Sequence, residues 1–262
     1  MLAVAARAID DSRVDLHQGF REPAHAPAHA LAHFLEEVDR LPGIRAIRAA
    51  MREAVALKPG TRLLDVGCGS GIETARLAEA QPRALVTGLD RNVELLRDAP
   101  RGPRWLEGDL HDPGLPAGSF DVVRTERVLM YVPDLHRALD ALVRLLAPGG
   151  RLVLFELDYG ATILAPSRLG DRVVARAGGL LDGSLPQPRA GRQLPRLLAE
   201  RGVRDVVAEP YTFAVNEPVW RRIVYATLAP LADPQLLAYL DEAAEAPLKA
   251  AFTGVLTVAS VV

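Results

Sequence analysis

The chain has 262 residues, 49% of them hydrophobic, with a net charge of −2 and one cysteine. That length and apolar content suit one large domain, or one domain with a cap, around a sizeable core. The balanced charge gives no electrostatic reason to expect nucleic acid or an anionic membrane, and the lone Cys68 excludes an internal disulfide framework and a cysteine-built zinc site.

No uninterrupted apolar stretch reaches the length of a membrane span. The opening MLAVAARAIDDSRV is too short in its apolar part, and too soon acidic, for a secretory leader. The expected location is the cytoplasm. Only two lysines, Lys58 and Lys249, stand among 31 basic residues, a bias that suggests a GC-rich bacterial genome. In chain order, residues up to about Pro27 are polar and proline-broken and read as a mobile arm. Helical patterns follow over 28–41 and 44–57, parted by Pro42-Gly43. Strands are expected at 62–66, 84–89, 104–107, 120–124 and 151–156. The clearest helix is 134–146, capped by Asp134 and carrying an apolar stripe through Leu135, Ala138, Leu139 and Leu142. After Glu156 the rhythm changes. Residues 157–190 are rich in Gly, Pro and Arg, with one short helical pattern. Helices are expected at 192–201, 218–228 and 234–245, and strands at 205–215 and in the tail from Phe252. Alternating strands and helices imply a parallel sheet covered on both faces, with the late strands as an antiparallel edge pair.

The most informative stretch is Asp65-Val66-Gly67-Cys68-Gly69-Ser70-Gly71, at the carboxyl end of the first strand. In open α/β sheets ligands bind there, and glycine lets the main chain lie against them. The next strand ends in Gly88-Leu89-Asp90, where an acid can accept both hydroxyls of a ribose. The pattern reads as a nucleoside site. It lacks the Gly-x-Gly-x-x-Gly spacing of dinucleotide folds, and no Lys-Ser/Thr pair follows, so it is not a P-loop. Asp65 disfavours phosphate and favours a cationic ligand.

This stretch resembles motif I of the class I S-adenosylmethionine-dependent methyltransferases. The likeness continues through Asp90, EGDLHDPGLPAGSFDVV and LLAPGGRLVLFELD, and it is greatest to the small-molecule type, akin to ubiquinone/menaquinone and natural-product methyltransferases. The resemblance implies a Rossmann-like α/β fold: a seven-stranded, mostly parallel sheet with helices on both faces and an antiparallel C-terminal strand. It implies S-adenosylmethionine as cofactor and a small-molecule acceptor, with no nucleic-acid or membrane partner. It leaves monomer and homodimer open. It implies that Gly67, Gly69 and Gly71 wrap the methionine part and sugar, with Cys68 only needing to be small. Asp65 orients the amino-acid end, Asp90 takes the ribose, and Asp109 and Leu110 face the adenine. Thr125 lies beside the methionyl amino group, and Arg91 and Gly108 flank the same site. Residues 58–158 form the cofactor core. Residues 1–57 and 159–190 form two walls of the acceptor pocket, and 191–262 complete the sheet.

Methyl transfer from a sulfonium is an in-line displacement, so the protein mainly aligns acceptor, methyl and sulfur. A base is needed only if the nucleophile must lose a proton. Related small-molecule enzymes often carry Gln-His where this chain has Met130-Tyr131. Candidate bases are therefore His17, His29 and His33 from the N-terminal helices, then Glu156 and Asp158, then Tyr131. Glu126 and Arg127 read as an adjacent ion pair, and Arg124 as an ion-pair partner or a carboxylate holder. Glu126, Glu156 and Asp158 could together hold a hard cation, and His17, His25, His29 and His33 a transition metal, but no metal is expected: the acids read better as pocket wall and ion pairs, and Pro27 interrupts the histidine spacing. A methyltransferase-like cyclase that keeps the cofactor without transferring methyl is the alternative reading.

Overall fold

A computed structural model describes residues 14–261. Among these, seven strands form one sheet in the order β3-β2-β1-β4-β5-β7-β6. They are β1 (Arg62–Val66), β2 (Leu85–Asp90), β3 (Arg104–Glu107), β4 (Phe120–Glu126), β5 (Leu146–Leu164), β6 (Arg204–Ala214) and β7 (Ala250–Ser260). The first five run parallel, and β7 pairs antiparallel with both β5 and β6. The expected fold class is the one observed.

Side chains alternate faces along each strand, and here that alternation decides the chemistry. Leu63, Val122, Val153 and Phe155 enter one core, beneath α2 (Ala28–Asp39), α3 (Pro42–Val55) and α4 (Ile72–Ala80). Leu64, Val66, Val123, Leu152 and Leu154 enter the other, beneath α6 (Leu135–Leu145) and α8 (Ala190–Ala199). By the same parity Asp65, Arg124 and Glu126 lie on the α3 face, and Thr125, Glu156 and Asp158 on the α8 face. Asp65 pairs in register with Arg124, which makes them cross-strand neighbours.

The arm departs from the sequence expectation. Residues 1–13 lie outside the described part, but Leu16–Arg21 form a helix, α1, whose Asp15 side chain accepts from the Gln18 amide. A 3-10 turn, Pro23–His25, leads into α2. The short α5 (Val93–Arg97) follows β2 and was not expected. Residues 159–164 extend β5, and a short loop leads to α7 (Asp171–Asp182). The helix expected over 218–228 is broken into α9 (Glu217–Trp220), a π turn at Arg221–Tyr225 and α10 (Ala226–Leu228). The wider turn keeps Trp220, Ile223, Val224 and Leu228 buried while Arg222 reaches Glu37 at 2.8 Å. The last helix, α11, spans Pro234–Glu245.

Candidate active site

The glycine turn links β1 to α4. The Gly67 and Cys68 amides both donate to the Leu89 carbonyl, at 2.7 and 3.1 Å, which pins the turn to the end of β2. Two positions there require glycine. Gly67 has φ +69°, and a Cβ on it would stand 2.3 Å from Val128; Gly71 has φ +74°, and a Cβ would stand 2.4 Å from the Trp105 ring. Asp90 closes the turn from below. One carboxylate oxygen accepts from the Gly69 amide at 2.7 Å and the other from the Asn92 amide at 2.8 Å. Burial raises its pKa, against the pull of those two amides.

A cleft of about 960 Å³, partly open to solvent, runs from this turn across the carboxyl ends of the strands. Gly67, Gly69, Asp90, Arg91, Gly108, Asp109 and Leu110 line one part. Asp109 is held by His111, whose amide and Nδ1 lie 2.8 and 3.0 Å from one carboxylate oxygen. Burial pushes the Asp109 carboxyl up, but those contacts outweigh it and leave it below the usual range. The other part is apolar: Phe20 from α1, Phe34 and Leu35 from α2, and Val128, Met130 and Tyr131 after β4. None of 159–190 lines the cleft. That segment stands behind it, where the Gln187 amide donates to the Met130 carbonyl and Tyr159 packs against His17.

A second cavity of about 430 Å³ adjoins the first and shares Gly67, Gly69, Leu35, Glu126 and Arg127 with it. Its walls carry a buried ion network. Asp65 accepts from the Thr74 hydroxyl at 2.5 Å and from Arg124 at 2.8 Å. Arg124 also donates to Glu126, at 2.9 Å. Glu126 receives Arg48 on both oxygens, at 3.0 and 2.9 Å, and Arg127 at 3.1 Å. Arg48 further pairs with Asp39, which Arg76 also holds. Burial pushes Glu126 up, but Arg48, Arg127 and Arg124 together hold it well below the usual carboxylate range. For Asp65 burial wins over Arg124 and Thr74, and its pKa rises.

The catalytic candidates do not converge. Tyr131 lines the apolar part, and its hydroxyl lies 3.4 Å from His17 Nδ1. Burial lowers the His17 pKa to about 4 and raises that of Tyr131 well above its ordinary value. His29 and His33 are exposed and line neither cavity; Arg222 lies 2.9 Å from His33 Nδ1. Glu156 is fully buried and accepts from the amides of Val128, Leu129 and Met130 at 2.8, 2.8 and 3.2 Å. Asp158 is ion-paired with Arg192. Among the described residues no group of three or more His, Cys, Asp or Glu side chains is placed to hold a metal. Of the expected cofactor residues, Cys68 and Asp65 line the second cavity, and burial raises the Cys68 thiol far above its ordinary value. Thr125 is fully buried and lines neither; Glu126 and Arg127 stand at the rim instead. Sequence reasoning gave no site role to Arg48, His111, Asn92, Phe20 or Phe34. Asn92 carried a readable signal, since an Asn two residues past Asp90 caps α5 through the Glu94 and Leu95 amides.

Fold and cleft together define an α/β protein built around a nucleoside-bearing cofactor. The donor set suits S-adenosylmethionine. A carboxylate offers about four lone-pair sites, and Asp90 has two left after its backbone amides, one for each ribose hydroxyl. The glycine floor is open, and acids and guanidinium groups both line the second cavity for a zwitterionic amino-acid end. Comparison with known proteins agrees. A methyltransferase-domain family model matches residues 64–154. A 37.1 kDa protein in transposon TN4556 of Streptomyces fradiae is 32% identical over 240 residues, covering 84% of this chain and 68% of that one. Nocamycin O-methyltransferase of Saccharothrix syringae is 33% identical over 184 residues, covering 63% of each. The structure of Haemonchus contortus phosphoethanolamine N-methyltransferase 2 with S-adenosyl-L-methionine shares the fold, with a TM-score of 0.61 at 16% identity over 95% of this chain and 60% of that one. The chain belongs to the class I S-adenosylmethionine-dependent methyltransferases, and S-adenosylmethionine is its cofactor. No helix among the described residues is long and apolar enough to cross a membrane.

Proposed function

We propose that the protein methylates an O, N or C atom of a small-molecule metabolite, in bacterial natural-product biosynthesis. The observation that carries this reading is the continuity of the cleft. Its polar part, with Asp90 and Asp109, opens directly onto the apolar part walled by Phe20, Phe34, Leu35, Met130 and Tyr131. A concave cleft with an apolar wall and a few convergent polar groups suits a small molecule. The nocamycin O-methyltransferase relative supports the natural-product setting.

When bound, the cofactor supplies an activated methyl group. In this reading Asp90 and Asp109 hold its nucleoside, and Asp65, Glu126, Arg48 and Arg124 face its amino-acid end. Residues 14–57 close the acceptor side, 58–158 carry the cofactor, 159–190 brace the 128–131 turn from behind, and 191–262 complete the sheet. Glu156 sets that turn by accepting three of its amides. His17, with its pKa near 4, is neutral at physiological pH and positions the Tyr131 hydroxyl. The chain thus works by alignment, which can supply up to about 7–11 kcal/mol. The test is incubation with methyl-labelled S-adenosylmethionine and candidate metabolites. Equal amounts of S-adenosylhomocysteine and labelled product support the reading; product without S-adenosylhomocysteine means cyclase-type chemistry instead.

A further inference from the structure

The ion network leaves one guanidinium short of a partner. Three arginines meet Glu126, and two of them have a second carboxylate: Arg48 has Asp39, and Arg124 has Asp65. Among the described residues Arg127 makes one ion pair, with Glu126; its charge also acts on Glu156, but its Nε is buried with no hydrogen-bond partner. A buried guanidinium N–H without an acceptor is costly. Arg127 also sits at φ +59°, a left-handed conformation that a bulky non-glycine residue rarely adopts. Its own amide, donated to the Phe155 carbonyl at 2.7 Å, holds it there. Strained backbone and an unpartnered donor coincide on a side chain that lines both cavities.

Two anions could complete it: the carboxylate of the cofactor or that of the acceptor. The second cavity already presents Arg48 and Arg124 to the cofactor's amino-acid end. Two arginines line the first cleft: Arg91 follows Asp90 in the chain, and Arg127 stands next to Val128, Met130 and Tyr131. The apolar part has no ready base: burial lowers the His17 pKa to about 4 and so makes it a weak proton acceptor, Tyr131 keeps its proton, and Glu156 is spent on backbone amides. An acceptor that needs no deprotonation suits such a chamber.

We infer that Arg127 is a specificity-determining residue that holds the carboxylate of an apolar carboxylic acid, and that this carboxylate is the atom group methylated. The inference rests on the methyltransferase reading above. One carboxylate oxygen takes the Arg127 Nε–H. The other forms the new O–CH3 bond as the S–CH3 bond breaks and its electron pair returns to sulfur. Anion and sulfonium become a neutral ester and a thioether, and no proton moves.

The test compares the parent with Arg127→Gln and Arg127→Lys. Calorimetry gives the affinity for S-adenosylhomocysteine. Transfer of labelled methyl is measured to octanoate and benzoate, and to octanamide and benzamide as neutral counterparts. The parent is expected to favour the carboxylates by at least about tenfold, with label that mild alkali releases as methanol. Arg127→Gln loses that preference while S-adenosylhomocysteine affinity stays within about twofold; Arg127→Lys recovers part of it. Absence of a carboxylate preference in the parent, or its survival in Arg127→Gln, overturns the inference. So does a loss of about tenfold in S-adenosylhomocysteine affinity in Arg127→Gln, which assigns Arg127 to the cofactor. A parent that binds no S-adenosylhomocysteine refutes the underlying reading instead.

Discussion

Glu156 is the place to test the energetics of the site. Its carboxyl lies under the 128–131 turn, fully buried, and burial raises its pKa from the ordinary 4.5 to about 7 against the pull of three backbone amides. An acid with a raised folded-state pKa stabilises the fold below its unfolded value and loses that contribution as pH climbs through the folded one. Integrating between 4.5 and about 7, the stability lost from pH 5 to pH 8 is about 2.5 kcal/mol. His17 opposes it. Its pKa falls from 6.5 to about 4, so over the same pH range it contributes a gain of about 2 kcal/mol. The parent profile therefore hides both, and Glu156→Gln separates them. Gln keeps an acceptor for the Val128 and Leu129 amides, loses the one facing Met130, and does not titrate. Urea unfolding at pH 5, 6, 7 and 8 should show the variant gaining about 2.5 kcal/mol on the parent as pH rises. A stability difference that stays flat across pH would refute the burial argument.

Arg124→Met should cost about 3–5 kcal/mol, because it leaves Asp65 and Glu126 buried with one cation fewer; denaturant titration checks this, and a loss below about 1 kcal/mol would mean that the pair is effectively solvated. With no base titrating in the apolar chamber, kcat should be flat from pH 6 to pH 9, and His17→Gln should keep that profile within a few-fold. A steep rise with pH that disappears in His17→Gln would restore the histidine as general base.

The fold was legible because its signals are periodic. The strands and the helix at 135–145 were readable from alternation and capping, and the glycine turn pointed to the end of the sheet where the cleft lies. The register of β4 against β5, with Glu126 opposite Phe155, puts Glu126 on one face and Glu156 and Asp158 on the other, and no sequence pattern showed it. What stayed hidden depends on tertiary contact. The left-handed φ of Arg127, the reach of Arg48 from α3 to Glu126 and the packing of His17 against Tyr131 and Tyr159 join residues 78 to 142 positions apart or depend on a single backbone angle. Residues 159–190 line neither cavity, because β5 runs on to Leu164 and carries the chain past the rim.

The central claim is that the Asp90 end of the cleft binds the cofactor's ribose. It is tested most directly by calorimetric titration of S-adenosylhomocysteine into the parent and Asp90→Ala. The parent should bind with micromolar-scale affinity, about −8 kcal/mol. Two hydrogen bonds to a charged group are worth about 1.5–3 kcal/mol each, so the variant should bind at least about a hundredfold more weakly. Absence of binding by the parent, or unchanged affinity in a folded Asp90→Ala, would contradict the claim.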